Sequence, residues 1–291
     1  MKLILSRKGF DSSAGGFPSP IFPDGQLLSL PIPDRQGPTS YADIHTDWGP
    51  MADILAQLSG KTHWHETAAH IDPDLRRNSL ARRRGWQATL GQTGTAQSHL
   101  RNQNVAEGDI FIFFGLFKPV EKTAQGWRFV QATMARHVIW GWLQIGKIHP
   151  VDQLNPSDLP WCRYHPHMHL GEDANNTLYQ AARALTLNNV ATPLPGAGVC
   201  QGYRPELSLT APDATTPSQW ELPAHFFPHR GKPALSYHRK PERWHKCGNR
   251  LKLQAAARGQ EFVLDTDFYP EAQNWLSALL LPESAPKSQA Q

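Results

Sequence analysis

Apolar residues fall into a few short runs, and the chain between them is polar, glycine-rich or broken by proline. Met-Lys-Leu-Ile-Leu at 1–5 reads as a first strand. Asp24-Gly25, between Pro23 and Gln-Leu-Leu-Ser-Leu, suits a hairpin turn. Met51, Ile54, Leu55 and Leu58 recur at helical spacing, with Gly60 as the stop. Residues 85–94 read as a loop or strand entry, and 95–103 as helix. Ile110-Phe-Ile-Phe-Phe-Gly-Leu-Phe is a continuous apolar run, which predicts a strand buried on both faces. Residues 126–132 and 137–148 predict two more strands, the first following a Lys-Thr-Ala-Gln-Gly turn. Such a succession suits an antiparallel meander or barrel. Residues 176–184 fit a brief helix or strand, 193–205 a glycine-rich loop, and 207–210 and 261–264 short strands. Ala272, Trp275, Leu276, Leu279 and Leu280 predict an amphipathic helix over 270–281. The last ten residues, 282–291, read as a disordered tail. The pattern predicts an α+β fold: a mainly antiparallel twisted sheet or partly open barrel with a few flanking helices. A single domain over 1–281 is expected.

Composition narrows this picture. The 25 prolines exceed the average share of about 5% and favour short elements joined by ordered loops. Ten tryptophans suggest a packed body with stacking surfaces. A net charge of +4 with 14 histidines tolerates an acidic partner such as a nucleic acid without demanding one. The three cysteines, Cys162, Cys200 and Cys247, form no Cys-x-x-Cys pair, so a thiolate zinc knuckle is not expected. The odd count, the lack of a secretory leader and the lack of an 18-residue apolar run predict a cytoplasmic protein without a membrane span.

The stretch from Leu5 to Pro33 holds the first candidate chemistry. A strand feeding a loop of Gly, Ser and Asp can line a cradle with backbone N–H groups. Arg7 and Lys8 add positive charge, Ser12, Gly15, Gly16 and Ser19 could contact phosphate or sugar, and Asp11 or Asp24 could act as acid, base or ligand. Neither Gly-x-x-x-x-Gly-Lys-Ser/Thr nor Gly-x-Gly-x-x-Gly occurs here. The plainer reading is a turn-rich connection, since Gly, Pro and Ser gather in loops.

The run Ser-Arg-Lys-Gly-Phe-Asp-Ser-x-x-Gly-Gly-x-Pro-Ser-Pro-Ile-x-Pro-Asp-Gly, residues 6–25, resembles the opening of the third type of nucleotide-modification-associated domain. His70–Arg76, Gly108–Phe117 and His137–Ile148 resemble later stretches of the same family, so the likeness covers at least residues 1–150. The resemblance implies a bacterial or phage setting and a link to modified bases in DNA, and it carries no reaction.

Three kinds of chemistry are open to the remaining polar residues. His63-Trp-His65 and His165-Pro-His167-Met-His169 place imidazoles two apart, which on a strand lets a pair share one metal ion. With His70, Asp72 and Asp74 they form a mixed set that suits Zn, Fe or Mn, although histidine-rich loops are often merely solvated. Asp11, His70 and Asp72 are candidates for acid–base work. Against this, Asp72 could cap a helix starting at Pro73. Arg76 and Arg77, within a cluster of five arginines up to Arg84 and followed by Trp86, could neutralise phosphate and stack a base, or form a solvated face. A second basic segment, 230–246, is interleaved with Tyr237 and Trp244. The leading expectation is an enzyme acting on a nucleotide or DNA base. The alternatives are a non-catalytic reader of modified bases and a protein partner in a modification or defence system. Convergent ionisable groups in one cleft would mark the enzyme.

Overall fold

The computed structural model describes residues 1–281 except Gln36, Pro156 and Arg230; the tail predicted for 282–291 lies outside the described residues. Nine strands form one mixed, open sheet: β1 (Lys2–Arg7), β2 (Ser19–Ile21), β3 (Thr89–Gln92), β4 (Ile110–Thr123), β5 (Gly126–Phe129), β6 (Arg136–Pro150), β7 (Thr177–Ala181), β8 (Ala197–Val199) and β9 (Glu261–Asp265). The main order is β9-β1-β4-β6-β7-β3, with β8 beside β6 and both β2 and β5 on β4. Three helices flank it: α1 (Met51–Ser59), α2 (Gly94–Asn102) and α3 (Glu271–Leu280). The fold is α+β and does not close into a barrel.

β4 earns its central place from its side chains. Ile110 through Phe114 are fully buried, as a strand covered on both faces must be. The sheet departs from a pure meander here. β1 and β2 run parallel to β4, whereas β6 runs antiparallel to it. Parallel neighbours need a long crossover, and the intervening loops and helices before residue 110 supply one. Residues 126–129 and 136–150 form the expected antiparallel partners. The 207–210 run makes only isolated bridges, and 176–184 resolves into β7 and the start of a small hairpin. Asp24-Gly25 does turn the chain, but the second arm is reduced to one bridge, Ile21 with Leu27. No helix begins at Pro73: the chain bends there, and Asp74 bridges to Thr89 of β3.

Three apolar clusters result among the described residues, a minor one of Trp161, Cys162 and Leu178 and two major ones. The larger covers the sheet and α3, with Phe111, Phe113, Phe114, Leu143, Phe262 and Leu276 among its members. The smaller gathers Phe10, Phe22, Leu28, Tyr41, Ile44, Met51, Ile54, Leu55 and Trp64 around α1. Gly60 ends α1 in the left-handed conformation, φ 70°. Among the described residues no helix is long and apolar enough to cross a membrane.

Candidate active site

A cleft of about 440 Å³ draws its lining from both major clusters. Leu28, Ile44, Trp48 and Met51 come from the α1 side, and Leu75, Trp140 and Val199 from the sheet side. The polar members include Asp72, Asp74, Arg76 and Arg77. This volume lies in the range of small-molecule sites. The pairing register of β6 on β4 slips between Ile139 and Gly141, so Trp140 is the extra residue of a bulge. Bulges re-aim a side chain, and the indole N–H of Trp140 is buried without a partner among the described residues. Trp48 is held by stacking on Phe22, centroids 3.6 Å apart and planes at 13°.

Asp72 joins this cleft to a buried polar group. Its side chain is 4% exposed. Lys8, at the end of β1, places Nζ 3.2 Å from Asp72 Oδ2. The backbone N–H of Gly91 in β3 donates to Asp72 Oδ1 at 2.5 Å. A short 3₁₀ turn, Pro166–His169, brings His165 Nε2 to 3.5 Å from Oδ1 and His167 Nε2 to 4.0 Å from Oδ2. Burial alone would raise the Asp72 pKa. The Lys8 ammonium, followed by His165 and His167, overturns that effect and holds the carboxyl well below the usual range, so Asp72 is ionised at neutral pH. Burial, opposed by Asp72, pulls His167 down to about 4.

The outer nitrogens of two imidazoles are fixed from behind. His70 Nδ1 lies 3.0 Å from Asp34 Oδ2, and His167 Nδ1 lies 2.7 Å from Asn176 Oδ1. Asn176 Nδ2 donates to the His167 carbonyl, which sets which way its amide faces. On the far side of Lys8, Glu261 of β9 accepts from Ser6 Oγ at 2.9 Å and from Gln92 Nε2. Burial pushes Glu261 up to about 7 despite the nearby Lys8.

The residues singled out from the sequence are thereby sorted. Lys8, His70, Asp72, His165 and His167 come together, and Arg76 and Arg77 line the cleft. Arg76 spends one donor on the Leu27 carbonyl, while Arg77 is exposed. The five-histidine metal set does not form. His63 and His65 are exposed on a turn after α1, with His65 paired to Asp53, and His169 Nε2 bonds the Arg163 carbonyl. Arg7 points away from the cleft, donating to the carbonyls of Ala256 and Ala257. Asp11 accepts from Ser13 and Ala14 in a turn of its own. Burial opposes its charge, but those bonds and Arg7 leave its pKa below the ordinary value. Gly15 and Gly16 have φ of 83° and 88°, which closes that turn. Ser12 is exposed, Ser19 is buried and accepts from the Leu30 N–H, and Asp24 caps its own turn through Gln26. None of these lines the cleft; from the opening loop, Gly9 does.

Arg82 also departs from a phosphate-gripping role. It forms a bidentate pair with Asp74, at 2.8 and 2.6 Å, beneath the rings of Trp86 and Tyr164. In the second basic segment His238 is fully buried and Arg243 bonds the Gln254 carbonyl, so that run is not one open face; Arg230 lies outside the described residues.

The profile of nucleotide modification associated domain 3 matches residues 2–265. The chain belongs to that family. Membership in nucleotide modification associated domain 3 extends past the first 150 residues to β9, so every side chain of the Lys8–Asp72–His167 group lies within the matched span. No curated protein and no solved structure matches the chain.

Proposed function

We propose that this protein is an enzyme that modifies a nucleotide or a base in DNA, with the substrate in the cleft beside Asp72. The observation that carries this reading is the position of Asp72. One buried, ionised carboxylate both lines the cleft and sits among Lys8, His165 and His167. Convergent ionisable groups of this kind serve proton transfer or nucleophile activation, and buried perturbed groups gather at functional sites. The cleft also offers what a nucleotide needs. Trp48 and Trp140 provide aromatic surface, and exposed Arg77 suits a phosphate. Family membership supports the nucleotide part of the reading.

The test compares cells producing the wild-type protein with cells producing Asp72→Asn. Nucleotide pools and hydrolysed DNA from both are profiled by mass spectrometry, and nucleotide affinity is measured on purified protein. A nucleoside altered only in the wild-type cells is expected. Identical profiles, with equal nucleotide affinity in both proteins, would make the cleft a reader rather than a catalyst.

A further inference from the structure

Three acceptor groups converge beside the cleft: one ring nitrogen each of His70 and His167 and one Asp72 carboxylate oxygen lie within 4.8 Å of one another. The backing groups decide what these atoms offer. Asp34 is a carboxylate and can only accept, so His70 carries its proton on Nδ1. Asn176 presents its carbonyl to His167 Nδ1 because its amide nitrogen is used on the His167 carbonyl, so His167 also carries its proton on Nδ1. Both Nε2 atoms are therefore left with free lone pairs. Among the described residues no donor meets either of them; Lys8 bonds only the carboxylate. An imidazole whose far nitrogen is held by a carboxylate or carbonyl is the arrangement found behind metal-ligating histidines.

We propose that His70, Asp72 and His167 hold one divalent transition-metal ion, with Asp34 and Asn176 as the positioning residues behind the two imidazoles. Two nitrogens and one carboxylate suit Fe(II), Mn(II) or Zn(II). Three protein ligands leave coordination positions open, which marks a site for chemistry rather than for structure. His165 is outside the ligand set. Its Nδ1 accepts from the His167 backbone N–H at 3.3 Å, which leaves the proton on Nε2, facing Asp72 Oδ1. It approaches the carboxylate without a hydrogen bond to it. The strand behind the site is shaped to the same end: a Cβ on Gly91 would stand 2.6 Å from His167 Nε2, so only glycine lets this ring lie against β3. The inference goes beyond the nucleotide reading and does not need it, since no nucleotide enters the test.

The full chain is stripped with EDTA and titrated with Mn²⁺, following the free ion by electron paramagnetic resonance, and with Co²⁺, following ligand-field absorption. One ion per chain is expected. His70→Ala and His167→Ala should abolish tight binding, and Asp34→Asn should weaken it about 10- to 100-fold. The double variant His63→Ala/His65→Ala should bind as the wild type does. If His167→Ala does not fold, His70→Ala and Asp34→Asn, both at partly exposed positions, decide alone. Failure of the wild-type protein to take up either ion at micromolar concentration overturns the proposal. So does binding that is unchanged in His70→Ala and Asp34→Asn, or lost in the His63/His65 double variant.

Discussion

Glu261 shows what a single side chain adds to the pH behaviour of the fold. An unfolded glutamate titrates near 4.5, whereas burial raises Glu261 to about 7 in the folded protein. The folded state thus holds the proton more tightly. Its contribution is fully present below about pH 4.5 and is lost as pH rises to about 7, a span worth roughly 3 kcal/mol. Glu261→Gln keeps the Ser6 and Gln92 partners and removes the proton. Urea unfolding of EDTA-treated protein at pH 4.5 and 7.5 should show stability falling less with pH in this variant than in the wild type. Arg82 gives a second residue-level test. It is paired to Asp74 with both side chains nearly fully buried. Arg82→Ala leaves that carboxylate without its cation and should cost about 3–5 kcal/mol in urea unfolding. Arg84→Ala, at an exposed position, should cost less than about 0.5 kcal/mol. At this scale His70, Asp72, His165 and His167 were legible because imidazole and carboxylate are unusual in such density. Asp34, Asn176 and Glu261 were not. Asp34 and Asn176 gain their roles from partners brought by other segments, and Glu261 reads on paper as the polar end of an apolar strand.

The opening loop is the element whose appearance misled. Its glycines and serines suggest a cradle, yet the loop is wound on itself and pinned by Phe10, which is fully buried against Phe17, Tyr41 and Trp64. Gly15→Ala would put a Cβ 2.1 Å from the Phe10 ring at φ 83°. It should cost at least about 2 kcal/mol in a thermal or urea melt. Gly16→Ala has open space and pays only for its positive φ, about 1 kcal/mol. Asp11→Asn can keep the turn bonds to Ser13 and Ala14, so stability and nucleotide binding should both stay near wild type. A large loss of binding in a stable Asp11→Asn protein would return this loop to the site. Elsewhere the periodic elements were readable. Helices α1, α2 and α3 and strands β1, β4, β6 and β9 carry local patterns that fix their type. The parallel pairing of β1 with β4 could not be read, because it is set by the crossover and not by either strand's own sequence. The path of residues 72–76 could not be read either. Asp-Pro there satisfies a helix-start pattern, but the backbone of Asp74 exchanges hydrogen bonds with Thr89 of β3 instead.

At the scale of the whole molecule, the cleft exists because two apolar clusters meet along the 70–77 segment and the Trp140 bulge. Neither cluster alone would bring Trp48, Asp72, Arg77 and Trp140 to one place. The 225–246 segment carries much of the remaining positive charge but scatters it around a buried His238, and it has a separate hollow of its own. The two surfaces make different predictions for a bound nucleotide. Ultraviolet crosslinking of 5-iododeoxyuridine monophosphate to the full chain, followed by peptide mapping, separates them. Adducts should fall on the peptides carrying Trp48 and Trp140 and should diminish when Arg77→Ala is used. Stacking on an aromatic ring is worth about 1–3 kcal/mol per base, so Trp48→Ala should also weaken nucleotide affinity about tenfold. Adducts confined to residues 225–246, with none at Trp48 or Trp140, would contradict the account.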